Sequence, residues 1–153
     1  MANVERRRSM QRKIVPDVVH NQRLLKLAAN TSVREAARQM AGRGVGAALV
    51  VDGDRLEGIF TERDLLNRVV ARDLDLDKTR LSDVMTKNPA TISADAGAME
   101  ALRRMHDGGF RHLPVLDGTR LVAIVSLRDF FGAEFQELER EVAFQENVIA
   151  GRP

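Results

Sequence analysis

The 153-residue sequence has no cysteine, no tryptophan and no tyrosine, and only six phenylalanines and three histidines. Without cysteine there is no disulfide frame, thiolate nucleophile, iron–sulfur cluster or cysteine-based zinc site, which suits a cytoplasmic location. The shortage of rings removes aromatic cages and stacking platforms. A flat ligand must therefore lie between aliphatic side chains, backbone and a Phe or His. No apolar run approaches the roughly 20 residues that a membrane-spanning helix needs, so a transmembrane reading is excluded and no membrane partner is expected. No apolar stretch follows the basic N-terminus, and a secretory signal is not expected.

The residues that are present, 44% hydrophobic and 30% charged, make a foldable composition. A chain of this size buries roughly 70% of its unfolded surface. The formal charge of +2 is unevenly spread. Arg6, Arg7, Arg8, Arg12 and Lys13 against Glu5 give residues 1–13 a net +4, so the remainder carries −2. The basic segment reads as a solvated flexible arm, with contact to an anionic partner such as a nucleic acid as the lesser reading.

The sequence repeats itself. Glu35-Ala36-Ala37-Arg38-Gln39-Met40 aligns with Glu100-Ala101-Leu102-Arg103-Arg104-Met105, an offset of 65 that also superposes Gly44 on Gly109, Asp52-Gly53 on Asp117-Gly118 and Arg63-Asp64 on Arg128-Asp129 without a gap. Two halves of about 60 residues are each too small for a comfortable core, so they are expected to pack as one module. In the first half, Val33, Ala36, Ala37 and Met40 form a helical stripe, with Thr31 or Ser32 as N-cap and Gly42 or Gly44 as the stop. A strand at 47–51, an Asp52-Gly53 turn, a strand at 56–60 and a helix opened by Thr61 with Leu65, Leu66 and Val69 on one side complete it. The second half predicts a helix over 95–106, strands over 112–116 and 121–125 around Asp117-Gly118, and a helix from Ser126. Short apolar pieces at 24–27 and 90–92 add a strand to each. The fold class is thus α/β (α+β), two repeats in pseudo-twofold relation plus a C-terminal helix. The boundaries are a basic arm at 1–13, repeat 1 at 14–72, a linker at 73–84, repeat 2 at 85–133 and a helical extension at 134–153. In that extension Phe131, Phe135, Leu138, Val142 and Ile149 continue a stripe that either folds back on its own module or meets a second copy.

Candidate chemistry is sparse. His20, His106 and His112 have no metal-ligand spacing. Asp73-x-Asp75-x-Asp77 begins like a calcium loop but has Lys78 where glycine and Val84 where glutamate is required. Gly42-x-Gly44-x-Gly46 leaves a helix and enters a strand, the reverse of a phosphate loop, and no serine sits in a nucleophile elbow. Nothing points to an enzyme. The remaining motif is Gly58-Ile59-Phe60-Thr61-Glu62-Arg63-Asp64, repeated as Ala123-Ile124-Val125-Ser126-Leu127-Arg128-Asp129. A hydroxyl at a strand-to-helix junction with a carboxylate three residues on is the pattern of a capping box. The same geometry lets an Asp accept hydrogen bonds from vicinal ribose hydroxyls while the hydroxyl and helix amides meet sugar or phosphate, with Ile59 and Ile124 as walls for a base. Both readings stand on spacing.

These motifs, with Val84-Met85-Thr86, Pro89-Ala90-Thr91-Ile92 and Arg111-His112-Leu113-Pro114-Val115-Leu116-Asp117-Gly118, resemble a tandem pair of cystathionine-β-synthase (CBS) domains over about residues 14–133. The resemblance implies two β-α-β-β-α units forming a Bateman-type disc with two clefts. It also implies a homodimer that binds an adenine nucleotide (AMP, ADP or ATP, with NADH or S-adenosylmethionine as further adenosyl ligands) and regulates a partner protein without catalysis. Carried over, Thr61 with Asp64 and Ser126 with Asp129 contact ribose and phosphate. Thr91 and Ile92 near the base and Arg111 and His112 near the phosphates complete the Asp64 cleft, and Lys26, Leu27 and Ala47 the Asp129 cleft. Ala123 where the family has glycine, and Gly46-Ala47 where the other repeat has Arg111-His112, leave the Asp64 cleft as the better phosphate binder. The rival reading of the chain is a ligand-independent dimeric scaffold in which the Thr/Asp pairs only cap helices and His112 is only a packed strand residue.

Overall fold

A computed structural model describes residues 3–4, 12–130 and 133–151, apart from the side chains of 133–135. The arginines at 6–8, Phe131 and the Phe135 side chain lie outside the described residues. The chain divides into two compact units. One comprises Gln22–Thr91 with Gly118–Leu121, the other the described parts of Met1–Asn21, Ile92–Asp117 and Val122–Pro153.

In the first unit, β1 (Lys26–Leu27) leads to α1 (Val33–Arg43), the hairpin β2 (Ala47–Asp52) and β3 (Arg55–Thr61), and α2 (Glu62–Asp64). The chain continues through helical turns at Leu65–Val69 and Val70–Arg72, then α3 (Leu81–Val84) and β4 (Thr86–Lys87). Of the alternatives the sequence offered, Ser32 and Gly44 form the caps. Ser32 Oγ accepts from the Glu35 amide at 3.2 Å, and Gly44 closes α1 in the left-handed conformation at φ 63°, its amide donating to the Met40 and Ala41 carbonyls. The sheet runs β1-β2-β3-β4, with β1 parallel to β2 and the other pairs antiparallel. α1 presents Val33, Ala36 and Met40 to a core shared with Leu25, Phe60 and Val69. Burying each of the larger of these side chains contributes about 1.5–3 kcal/mol.

Two features differ from expectation here. Leu66, assigned with Leu65 and Val69 to one face, is 60% exposed. The Val70 amide reaches back to the Leu65 carbonyl, an i to i−5 bond, so each residue rotates less about the axis and Leu66 swings away from buried Val69. The segment expected as linker also carries structure. Asp75 Oδ1 accepts from the Asp77 and Lys78 amides at 2.8 and 3.0 Å, Asp77 pairs with Arg34 at 2.5 Å, Thr79 is buried, and α3 begins at Leu81.

The second unit holds β5 (Ile92–Ser93), α4 (Ala98–Gly108), β6 (His112–Asp117) and, from Val122 on, β7 (Arg120–Ser126). A 3-10 turn at Leu127–Phe130 and α5 (Ala133–Ile149) follow. The sheet order is β5-β6-β7. The duplication extends to register: Leu27 lies opposite Val50 and, 65 residues on, Ile92 lies opposite Val115, both in parallel pairs. Gly109 repeats the left-handed stop at φ 68°, and Gly53 and Gly118 repeat the hairpin turn at φ 59° and 62°. α4 starts three residues later than expected. Ser93 donates to the Asp95 carboxylate and the Ala96 amide to the Ser93 carbonyl, a turn that delays the helix to Gly97.

Residues 14–21, assigned by sequence to the first repeat, pack in this second unit. The Ile14 and Val15 amides donate to the Ala96 and Ala94 carbonyls at 3.0 and 3.2 Å, and Ile14 and Val19 are buried with Leu102 and Phe130. Apolar side chains and two carbonyls needing donors are satisfied together. Of the C-terminal stripe, Leu138 is buried and Val142 packs against the same core, whereas Ile149 is 88% exposed.

Candidate ligand-binding site

Each repeat presents the end of its second hairpin strand to a helical turn. In the first unit, Thr61 Oγ1 accepts from the Asp64 amide at 3.2 Å and Asp64 Oδ2 accepts from the Thr61 amide at 3.0 Å, a complete capping box. In the second, Asp129 Oδ2 accepts from the Ser126 amide at 2.7 Å and from its hydroxyl at 3.2 Å. The backbone beneath is duplicated as well. The Glu62 amide donates to the Gly46 carbonyl at 3.0 Å and the Leu127 amide to the Arg111 carbonyl at 2.9 Å, both partners being 65 residues apart. Of the two readings of this motif, capping is therefore realised in full at Thr61–Asp64, and at Ser126–Asp129 through the carboxylate-to-amide half. It uses one oxygen of a carboxylate that has about four acceptor positions, so a diol still has acceptors to meet.

The sequence-predicted residues group by unit. Ala47 lies opposite Thr61 in the β2–β3 pair, and Lys26 and Leu27 form β1 alongside β2, so all three share the unit of Thr61 and Asp64, as does Thr91. Ile92, Arg111 and His112 share the unit of Ser126 and Asp129. Lys26 and Arg111 are exposed, His112 is half-buried at the start of β6, Ile92 is buried, and of the suggested base walls Ile59 is buried and Ile124 half-buried.

The two carboxylates differ in setting. Asp129 is exposed, while the Asp64 side chain is only 14% exposed and has Arg68 Nε 3.5 Å from Oδ1. Arg68 Nη1 also donates to the carbonyls of Val84 and Met85 at 3.1 and 3.2 Å. Sequence reasoning missed Arg68. Its i, i+4 spacing from Asp64 was the available signal, and the repeat offset hides it because the corresponding position is Ala133. Gly58 in the motif has a local reason: a Cβ there would lie 2.6 Å from Met85 Sδ and 2.8 Å from the Thr86 carbonyl oxygen. Among the described residues no cluster of three His, Cys, Asp or Glu could hold a metal ion. No helix among them is long and apolar enough to cross a membrane.

A duplicated α/β unit with a hydroxyl–carboxylate pair at each strand-to-helix junction defines a tandem-repeat module. The CBS domain family model matches it twice, over residues 14–71 and 81–135, and the chain belongs to that family. It is 40% identical over 114 residues to the CBS domain-containing protein CBSCBSPB5 of Arabidopsis thaliana, covering 74% of this chain and 21% of that protein. The chain thus spans about a fifth of the length of the first curated relatives it matches. Among solved structures, a CBS domain protein of Pyrobaculum aerophilum complexed with AMP superposes with a TM-score of 0.70 at 27% identity, covering 78% of this chain and 92% of that one. The CBS domain pair of protein MJ0100, in complex with 5′-methylthioadenosine and S-adenosyl-L-methionine, gives 0.65 at 25% identity over 71% and 86%.

Proposed function

We propose that the chain is a regulatory CBS-pair module that binds an adenosine-containing ligand, an adenine nucleotide or a related adenosyl compound, and acts on a partner protein without catalysis. The observation that carries this reading is the partly shielded Asp64 carboxylate, fixed by the Thr61 amide and Arg68 at a strand-to-helix junction. A carboxylate held in one orientation accepts a vicinal diol with little further ordering cost. Asp64 and Asp129 take ribose hydroxyls with Thr61 and Ser126 beside them. Thr91 and Ile92 serve the base, with Leu27 and Ala47 as small apolar surface. Lys26, Arg111 and His112 supply cationic or donor groups for phosphate. The AMP complex of the Pyrobaculum aerophilum protein supports adenosine as the recognised moiety. The module works as a cytoplasmic homodimer. Calorimetric titration with AMP, ADP, ATP, NADH and S-adenosylmethionine tests the reading; binding of at least one is expected, and silence from all five removes it.

The complete capping box at Thr61 and Asp64 favours a second reading, a ligand-independent scaffold. Asp64→Ala separates the two. Loss of ligand binding with a small change in melting temperature supports sensing. Destabilisation by about 1 kcal/mol with no ligand effect supports the scaffold.

A further inference from the structure

We infer that Arg68 is a positioning residue that both sets the affinity of the Asp64 carboxylate for its ligand and reports occupancy to the segment at Val84–Lys87. The inference rests on the ligand reading of Asp64 and adds to it a residue and a route. The guanidinium lies between two acceptors of different kinds. On one side Nε is 3.5 Å from Asp64 Oδ1; on the other Nη1 bonds the Val84 and Met85 carbonyls at 3.1 and 3.2 Å. These carbonyls end α3, and the residues that follow form β4, where Thr86 lies opposite Ile59 and Lys87 opposite Gly58. The Met85 side chain packs on Gly58 in the signature strand itself. One cation therefore links the carboxylate to the junction of α3 and β4, and that junction packs on the strand that leads to Thr61.

The planar fork of arginine makes this bridge possible, because separate N–H groups point at separate acceptors. Hydroxyls bonding the Asp64 carboxylate add to the hold of the Thr61 amide, so that Oδ1 faces Arg68 for more of the time and Nη1 stays longer on the two carbonyls. The coupling is reciprocal: whatever tightens the Val84–Lys87 segment also raises ligand affinity at Asp64. Position 133 is alanine, so the second repeat lacks the same residue at this place, and the relay belongs to the Asp64 site.

The test uses the full chain as wild type, Arg68→Met, Arg68→Lys, Asp64→Asn and the Asp64→Asn/Arg68→Met double variant, with AMP as the probe. Amide hydrogen exchange at Met85, Thr86 and Lys87 is read with and without AMP. AMP is expected to slow exchange there in the wild type and not in Arg68→Met, whose AMP dissociation constant rises about fivefold or more. Arg68→Lys keeps the charge but loses the fork, so it is expected to retain most of the affinity while exchange at Met85 quickens; equal losses of affinity and protection would mean a merely structural role. Without AMP, Asp64→Asn should quicken exchange at Met85 more in the wild-type background than beside Arg68→Met. Equal effects in both backgrounds, or undiminished AMP slowing in Arg68→Met, overturn the relay. A wild type that takes up no AMP but shows the ligand-free coupling counts against AMP as the ligand and leaves the relay supported.

Discussion

Replacing Gly58 with alanine isolates the closest backbone approach in the signature motif. The added methyl would sit 2.6 Å from Met85 Sδ, 3.1 Å from Met85 Cγ and 2.8 Å from the Thr86 carbonyl oxygen. Methionine is flexible and its sulfur can retreat. The Thr86 carbonyl cannot, because it belongs to the residue paired with Ile59 in the β3–β4 ladder. An ordinary carbon–oxygen contact needs about 3.3 Å, so β4 must shift by about half an ångström or the ladder must open. Overpacking of this kind costs about 1–3 kcal/mol. At roughly 2–4 °C per kcal/mol for a chain of this size, the melting temperature falls by about 2–12 °C. Gly42→Ala is the control. Gly42 lies inside α1 with nothing within 4 Å of a built Cβ, and alanine there stabilises by about 0.5–1 kcal/mol. Thermal unfolding followed by circular dichroism reads both variants. A Gly58→Ala protein melting at or above the wild type would refute the reasoning that β4 crowds the motif strand.

Removing the α1 cap by Ser32→Ala should cost about 1 kcal/mol in chemical unfolding, since the Glu35 amide loses its acceptor; an unchanged midpoint would count against the cap. Two exposed carboxylates make stability fall with acid. Asp75 is held below its usual range by the Lys78 and Asp77 amides, and Asp95 by the Ser93 hydroxyl. A depressed folded-state value means stability that is present above the ordinary carboxylate range and lost as pH falls through the lowered values. Unfolding midpoints measured from pH 5 down to pH 2 should therefore decline less steeply in an Asp75→Asn/Asp95→Asn protein. Parallel curves would remove these two groups as the cause.

The sequence was most informative where a single residue type forces a conformation. Ser32, Gly44 and the two Asp-Gly turns appear where spacing placed them, because a cap, a left-handed stop and a hairpin each demand a short list of residues. The 65-residue offset also carried the register of the parallel pairs. Two-residue β4 has no periodicity to read, and the packing of Ile14 with Leu102 and Phe130 depends on contacts remote in sequence. At the candidate site the Thr61–Asp64 pair was legible as spacing. Arg68 was not, since an arginine on a helical turn looks the same whether it meets water or two carbonyls 16 and 17 residues away.

The central claim, that the fixed carboxylates receive an adenosine-containing ligand, is tested most directly by calorimetric titration of AMP, ADP, ATP, NADH and S-adenosylmethionine into the wild type and into an Asp64→Ala/Asp129→Ala protein of verified fold. Saturable heat with at least one of the five is predicted for the wild type, and its loss in the double variant. No heat from any of them with the wild type, or equal affinity in both proteins, would contradict it.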